Sequence, residues 1–198
     1  MNTQPVSERN EINIALKQRT VRRACGCCDA GEGRPRARSA GRRQQSNRTP
    51  VILVADDDDD DVFLLRRAFS QAGFSYPIVS VHNGSEAIQY LGGAGCYGDR
   101  QRYPWPSLVL LDLKMPVVSG FEVLAWAQQR QEMRGLPAVI LSSSGFDSDI
   151  ERARELGACD YFVKPQDLNA LVELARTVNS RWLTEAPDPL ERIDSPKG

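Results

Sequence analysis

Five polar side chains with complementary chemistry each follow a short apolar run of the sequence. They are two adjacent carboxylates, a third carboxylate, a hydroxyl and an amine: Asp56, Asp57, Asp112, Ser142 and Lys164. Carboxylates bind divalent cations, and a hydroxyl and an ammonium can contact phosphate oxygens. A phosphoryl group in transfer requires this combination of positioning and positive charge. The set therefore predicts a phosphoryl-transfer site, if the chain brings the five residues together.

The apolar runs before these residues are typical of buried strands. Strands are predicted over 51–55, 78–82, 108–112, 138–142 and 160–163. Helices are predicted over 60–72, from a Ser85 cap to Leu91, and over 120–132, 147–156 and 167–183. This alternation indicates a doubly wound α/β fold, a parallel sheet with helices on both faces. Sites of such sheets lie at the carboxyl ends of the strands.

Charge divides the chain into parts. Residues 1–49 hold ten Arg and one Lys against four acidic residues, whereas residues 50–198 hold 14 basic and 22 acidic residues, a net charge of −8. An acidic domain attracts divalent cations and basic protein surfaces and repels nucleic acid. We expect a disordered basic arm over 1–49, a folded domain over 50–183 and a disordered tail over 184–198, with no DNA-binding domain.

The basic arm leaves alternatives open. A solvated tail is the plain interpretation, but its arginines could contact nucleic acid or anionic lipid, and Cys25, Cys27 and Cys28 could bind a metal. The sequence has no apolar stretch of the ~20 residues that a membrane span needs. Its five cysteines show no disulfide framework spacing, so we expect a reduced, cytoplasmic location.

From Pro50 to about Leu183 the chain resembles the receiver domain of two-component response regulators. The matching segments are Ile-Leu-Val-Ala-Asp56-Asp57, Leu-Leu-Asp112-Leu-Lys-Met-Pro116 with the following Gly120, Ile-Leu-Ser142, and Tyr161-Phe-Val-Lys164-Pro165. The resemblance covers about two thirds of the chain. It implies a flavodoxin-like, five-stranded parallel sheet of order 2-1-3-4-5 with five helices.

The resemblance also implies a phosphorelay function. Asp112 would accept a phosphoryl group from a sensor histidine kinase or a phosphotransfer domain, as an aspartyl phosphate. Asp57, Asp112 and the backbone carbonyl of Lys114 would hold Mg²⁺, with Asp56 acting through water. The protein would catalyse only its own phosphotransfer and dephosphorylation, and is therefore not expected to be an enzyme.

Further residues take roles from the same resemblance. Ser142 and Lys164 would contact the phosphoryl group, and Ser142 with Tyr161 would form the switch pair. Tyr161 could instead be a half-buried ring on an edge strand. The Lys164–Pro165 peptide bond is expected to be cis.

The start of the domain suggests a subgroup. The segment Asp-Asp-Val62-Phe-Leu-Leu and the long loop before the third strand look like the small stand-alone regulators of phytochrome-type and hybrid sensor kinases. Trp182 could join the packing of a homodimer or cover its own domain. Ser142 stands where Thr is more usual, and the six-aspartate run exceeds the family pattern. Asp58, Asp59 and Asp60 are interpreted as a solvated helix start.

Two other functions compete with a single-domain response regulator that signals through phosphorylation-dependent protein contacts. A phosphatase of the haloacid-dehalogenase type would use Asp56 as nucleophile and Asp58 as acid, but it leaves Asp112 unexplained. A receiver-like binding module that takes no phosphate is the third possibility. A phosphate adduct that depends on Asp112 would distinguish the first function from both.

Overall fold

Five short apolar segments pair side by side in the computed structural model, which describes residues 49–183. They are β1 (Ile52–Ala55), β2 (Ile78–Val81), β3 (Leu108–Leu111), β4 (Ala138–Ser142) and β5 (Asp160–Val163). Their order across the sheet is β2-β1-β3-β4-β5, and all neighbours are parallel. The predicted flavodoxin-like order is confirmed. The predictions for residues 1–48 and 184–198 lie outside the described residues.

Five α-helices alternate with the strands, as predicted: α1 (Asp59–Gln71), α2 (Gly84–Gly92), α3 (Gly120–Gln128), α4 (Asp147–Glu155) and α5 (Leu168–Val178). Two of them, α3 and α5, end four and five residues earlier than predicted, because the turns of the chain become tighter or wider there. A 3-10 turn over Gln131–Met133 follows α3, and a π-helical turn over Asn179–Leu183 follows α5. Within residues 49–183, every helix falls short of the length and apolar character that a bilayer-crossing segment requires.

The predicted cap of α2 is wrong by two residues. Asn83 is the N-cap, and its side-chain oxygen accepts a hydrogen bond from the backbone N–H of Glu86 at 2.9 Å. Ser85 lies inside the helix and is fully buried. Both residue types are good N-caps, so their local preferences could not decide between them.

The three central strands, β1, β3 and β4, are buried because helices cover both faces of the sheet. Helices α2, α3 and α4 pack on one face, against alternate strand residues such as Leu53, Val109 and Ile140. Helices α1 and α5 pack on the other, against residues such as Ile52 and Leu110. A continuous apolar run that is buried in this way gives a rigid sheet, whose ends can hold polar groups in fixed positions.

The long connection between α2 and β3 is tied to the end of α2 by one arginine. The Arg100 guanidinium donates hydrogen bonds to the carbonyls of Tyr90 and Leu91, each at 2.9 Å, and lies over the Trp105 ring. The last carbonyls of a helix have no partners within the helix. Arg100 satisfies two of them and thereby fixes the path of the chain into β3.

Trp182 packs against its own domain. It lies in the π-helical turn and contacts the apolar cluster that α1 and α5 form with the sheet. This is one of the two positions considered for the ring. The homodimer stays a prediction.

Candidate functional site

The strand register brings the predicted site residues to one edge of the sheet. Ala55 pairs with Leu111, so the next residues, Asp56 and Asp112, leave neighbouring strands side by side. The Asp112 backbone N–H donates a hydrogen bond to the Ala55 carbonyl at 2.9 Å and holds this arrangement. On the other side of β3, the Lys164 backbone N–H donates to the Ser142 carbonyl at 2.8 Å. All four strand ends therefore point the same way, as parallel pairing requires.

Three carboxylates meet at this edge. Asp56, Asp57 and Asp112 each offer an oxygen, and these oxygens lie within 4.8 Å of one another. Asp56 and Asp112 are buried, with relative exposures of 4% and 6%, and Asp57 is exposed. Burial raises the pKa of Asp56 above its ordinary value, although hydrogen bonding to Lys164 partly opposes this. An all-oxygen cluster with one open side fits a hard divalent cation such as Mg²⁺, which binds few protein ligands and keeps several waters.

Lys164 provides a positive charge among these carboxylates. Its Nζ lies 2.8 Å from Asp56, 2.6 Å from Asp61 and 3.4 Å from Asp112. Burial lowers the pKa of this ammonium, but the hydrogen bonds to Asp56 and Asp61 and the charge of Asp112 outweigh burial, so the pKa is raised. Lys164 is therefore protonated at neutral pH, and all its carboxylate contacts are charge-assisted.

Sequence reasoning missed Asp61. The sequence pattern predicts no role for this residue, yet its Oδ2 makes the shortest contact of the Lys164 ammonium. One signal could have found it: Asp61 precedes Leu65 by four residues, which places both on the same face of α1. Leu65 is buried against the sheet, with 2% exposure. Asp58 is an exposed residue at the start of α1, as predicted, and its side chain caps the helix by accepting from the Asp60 and Asp61 backbone N–H groups.

Ser142 and Tyr161, the predicted switch pair, are linked through one intervening residue. Ser142 is fully buried, and its Oγ accepts a hydrogen bond from the Ser144 backbone N–H at 3.4 Å. The Tyr161 hydroxyl donates to the Ser144 carbonyl at 2.8 Å. Ser144 Oγ donates in turn to Asp149 of α4. Ser144 therefore connects the serine at the end of β4 to the tyrosine ring and to α4, a role that its place in a serine run did not reveal.

The expectation of a cis peptide bond before Pro165 is wrong. Residues 49–183 contain no cis peptide bond, so the Lys164–Pro165 bond is trans. The trans form of a bond before proline is favoured by about 0.5–1 kcal/mol in the absence of other constraints. A resemblance in sequence alone does not supply a contact that would reverse this preference.

The loop between Asp112 and α3 is held by unusually close backbone contacts. A Cβ at Gly120 would lie 2.2 Å from the Asp112 carbonyl oxygen, and a Cβ at Gly84 would lie 2.3 Å from the Val118 carbonyl oxygen. The Gly84 backbone N–H donates to that same Val118 carbonyl at 3.0 Å. Val117 has a φ of +67°, which is rare for a β-branched residue. The predicted ligand carbonyl of Lys114 belongs to this loop, and the Lys114 N–H donates to Asp112 Oδ1 at 3.3 Å.

Comparison with known proteins agrees with this fold and with a functional site at the carboxyl edge of the sheet. The family model described as the response regulator receiver domain matches residues 52–176. The chain therefore belongs to the receiver domain family of response regulators.

Individual relatives are response regulators. The chain is 30% identical over 120 residues to the response regulator Rcp1 of Synechocystis sp., a match that covers 61% of this chain and 80% of Rcp1. A Mn²⁺-bound structure of Rcp1 has a TM-score of 0.62, with 28% identity over 70% of this chain and 99% of the other. These values show a shared fold and a clear sequence relationship.

Two further structures are similar. RPA3017 of R. palustris, a response regulator in red light signalling, has a TM-score of 0.66 and 33% identity, covering 70% of this chain and 96% of its own. The phosphorylated cyanobacterial phytochrome response regulator RcpA has a TM-score of 0.65 and 29% identity, covering 71% and 98%. The resemblance to phytochrome-type regulators is confirmed. The chain is a response regulator receiver that accepts a phosphoryl group, and the phosphatase alternative is not favoured.

Proposed function

We propose that Asp112 is the phosphoacceptor and that a sensor histidine kinase or a phosphotransfer domain is the donor. The main support is geometric: Asp112 is a buried carboxylate 3.4 Å from the Lys164 ammonium and within 4.8 Å of two other carboxylates. A carboxylate oxygen of Asp112 attacks the phosphorus of a phosphohistidine. The new P–O bond forms while the P–N bond breaks, and the electron pair of the P–N bond goes to the imidazole nitrogen.

The residues around Asp112 divide the remaining tasks. The Lys164 ammonium contacts one phosphoryl oxygen, and the Ser142 hydroxyl donates a hydrogen bond to another. Asp57, Asp112 and the Lys114 carbonyl would hold Mg²⁺, with Asp56 acting through water. Bound Mg²⁺ would supply positive charge to the phosphoryl oxygens. The proposal is supported by the oxygen-only cluster and by the metal-bound structure of Rcp1.

The output is proposed to be a change of protein contacts. Ser142 would shift toward the phosphoryl group, and Tyr161 would then turn inward, which alters the surface formed by α4 and β5. We place this signalling in the cytoplasm, because Cys159 is an exposed thiol and such thiols persist in a reducing compartment. Residues 50–183 would form the receiver domain.

Phosphorylation by a small donor tests the acceptor assignment. The full chain is incubated with acetyl phosphate and Mg²⁺, and its intact mass is measured. We expect a mass increase of one phosphoryl group in the wild type and in the exposed-site control Asp60→Asn, and none in Asp112→Asn. An adduct that persists in Asp112→Asn would contradict the assignment. Absence of any adduct in the wild type would favour a receiver-like module that takes no phosphate.

The homodimer has its own measurement. Sedimentation of the full chain with and without acetyl phosphate and Mg²⁺ compares its mass in the two states. A dimer mass for the wild type and a lower mass for Trp182→Ala would support packing through the C-terminal turn, provided that circular dichroism shows the variant to be folded. A monomer mass in both states would exclude the dimer.

A further inference from the structure

The shortest contact of the site lysine is made by a residue outside the proposed phosphorylation set. Lys164 Nζ lies 2.6 Å from Asp61 Oδ2, against 3.4 Å from Asp112 Oδ2. A lysine ammonium has three N–H donors and no acceptor. In this structure three carboxylates surround the ammonium, namely Asp56, Asp61 and Asp112. A phosphoryl oxygen on Asp112 must therefore compete with Asp56 and Asp61, the two close carboxylates, for the N–H donors of Lys164.

Asp61 is the carboxylate that can yield most easily. Its side chain is 40% exposed, whereas those of Asp56 and Asp112 are 6% and 7% exposed. When Asp61 swings away from Lys164, water hydrates its charge, so the separation costs little. Asp56, by contrast, would remain a buried carboxylate without its cation, which is much more costly. Asp61 also lies in the first turn of α1, where backbone N–H groups stabilise negative charge without Lys164.

We propose that Asp61 is a positioning residue that holds Lys164 away from Asp112 in the unphosphorylated protein and releases it to the incoming phosphoryl group. This rests on the proposed function of Asp112. Asp61 competes with the phosphoryl group for Lys164, and its negative charge also repels an anionic donor. It therefore slows phosphorylation and reduces the response to weak donors.

The variant Asp61→Asn removes the charge with little change in shape, and Asp60→Asn is the matched control. Asp60 belongs to the same helical turn and aspartate run, but it is exposed and its side chain is not among the Lys164 contacts. With acetyl phosphate and Mg²⁺, we expect Asp61→Asn to accelerate adduct formation about threefold to tenfold. The control should stay within about twofold of the wild type, because water and salt screen exposed charges. Asp61→Glu, which retains the carboxylate, should return the rate toward the wild-type value.

A second measurement follows the lysine directly and needs no phosphorylation. The side-chain ammonium of Lys164 is observed by nitrogen-15 NMR in the unphosphorylated full chain, and its signal is assigned with Lys164→Arg. We expect the Lys164 signal to shift and to exchange faster with water in Asp61→Asn, but not in Asp60→Asn. A general effect of charge or of stability would not single out this one ammonium.

The outcomes separate the two proposals. A faster reaction in Asp61→Asn alone, together with the ammonium shift, supports the positioning role. A rate equal to that of Asp60→Asn, or slower than the wild type, overturns it while Asp112 remains the acceptor. An unchanged ammonium signal overturns it too, whatever the rates. No adduct on wild-type Asp112 contradicts the proposed function, whereas the ammonium shift still reports the Lys164–Asp61 contact.

Discussion

The Tyr161 hydroxyl donates a hydrogen bond to the Ser144 backbone carbonyl at 2.8 Å. The bond joins β5 to the segment that follows β4, next to the buried Ser142 hydroxyl. The tyrosine ring is partly buried and packs against the apolar cluster on this face of the sheet. The conformation of the tyrosine is therefore linked to that of the backbone beside Ser142.

Replacing Tyr161 with phenylalanine should destabilise the domain only modestly. The variant keeps the ring packing and loses one hydrogen bond, which corresponds to about 0.5–1.5 kcal/mol in the free energy of unfolding. Urea denaturation measures this loss, and the intact mass after incubation with acetyl phosphate tests whether the variant still forms the adduct. A loss above about 3 kcal/mol would mean that the hydroxyl does more than bond to Ser144.

Gly120→Ala should be strongly destabilising. A Cβ would lie 2.2 Å from the Asp112 carbonyl oxygen, so the backbone at Asp112 must move, which costs about 1–3 kcal/mol or more. Gly92→Ala is the control, since its Cβ would meet only the Trp126 side chain, at 3.7 Å. Alanine is favoured over glycine in a helix, so this control should be neutral or gain up to about 1 kcal/mol. Equal unfolding free energies for the two variants in urea would contradict the close contact.

Val117→Gly should stabilise the domain. Val117 has a φ of +67° and the residue is 42% exposed, so glycine relieves strain at little cost in burial. The left-handed conformation costs an L-residue about 1–2 kcal/mol, and part of this gain is offset by the greater freedom of glycine in the unfolded chain. Val117→Ala keeps the strain and should show no gain. Thermal unfolding of both variants measures this difference. An equal gain in stability in both variants would contradict backbone strain at Val117.

Mg²⁺ should stabilise the folded protein through its acidic cluster. A ligand that binds only the native state adds about 1.4 kcal/mol to the free energy of unfolding at ten times its Kd. Thermal unfolding in Mg²⁺ and in a chelator measures this increase. Asp57→Asn should lose most of the response, because Asp57 is the exposed member of the cluster, whereas Asp60→Asn should keep it. Equal responses to Mg²⁺ in these two variants would contradict the proposal that Asp57 is a ligand of the ion.

The raised pKa of Asp56 gives a pH-dependent effect in Mg²⁺-free buffer. Burial raises this pKa more than Lys164 lowers it, so the native state binds the Asp56 proton more tightly than the unfolded chain does. Asp56 therefore reduces stability above its native pKa, and this loss disappears as the pH falls through that value. Asp56→Asn should be more stable than wild type at pH 7, and the difference should shrink toward pH 4. A variant that is less stable at pH 7 would show that the pair with Lys164 dominates.

The sequence was sufficient to predict the sheet and the residues at its edge, because both depend on simple patterns. Buried parallel strands are continuous apolar runs, and a polar residue after such a run must emerge at the carboxyl edge. Asp56, Asp112, Ser142 and Lys164 follow this rule, and the structure brings them to one edge. Their roles in phosphorylation remain predictions.

What could not be predicted depends on contacts between distant segments. The Asp61–Lys164 pair joins residues 103 positions apart, and the aspartate run offers several equivalent carboxylates. The choice of Asn83 over Ser85 as a cap depends on how α2 meets the loop after β3, where Gly84 packs on Val118. The trans bond before Pro165 likewise departs from the family pattern, which supplied the expectation.

The contact between Gly84 and Val118 ties two regions that are distant in sequence. The hydrogen bond and the absence of a side chain at Gly84 let the loop between β3 and α3 lie directly against the start of α2. Any rearrangement of that loop must either break this bond or drag the first turn of α2 with it. A movement of that loop would therefore reach the α2 side of the domain through a contact that does not involve Tyr161 or α4.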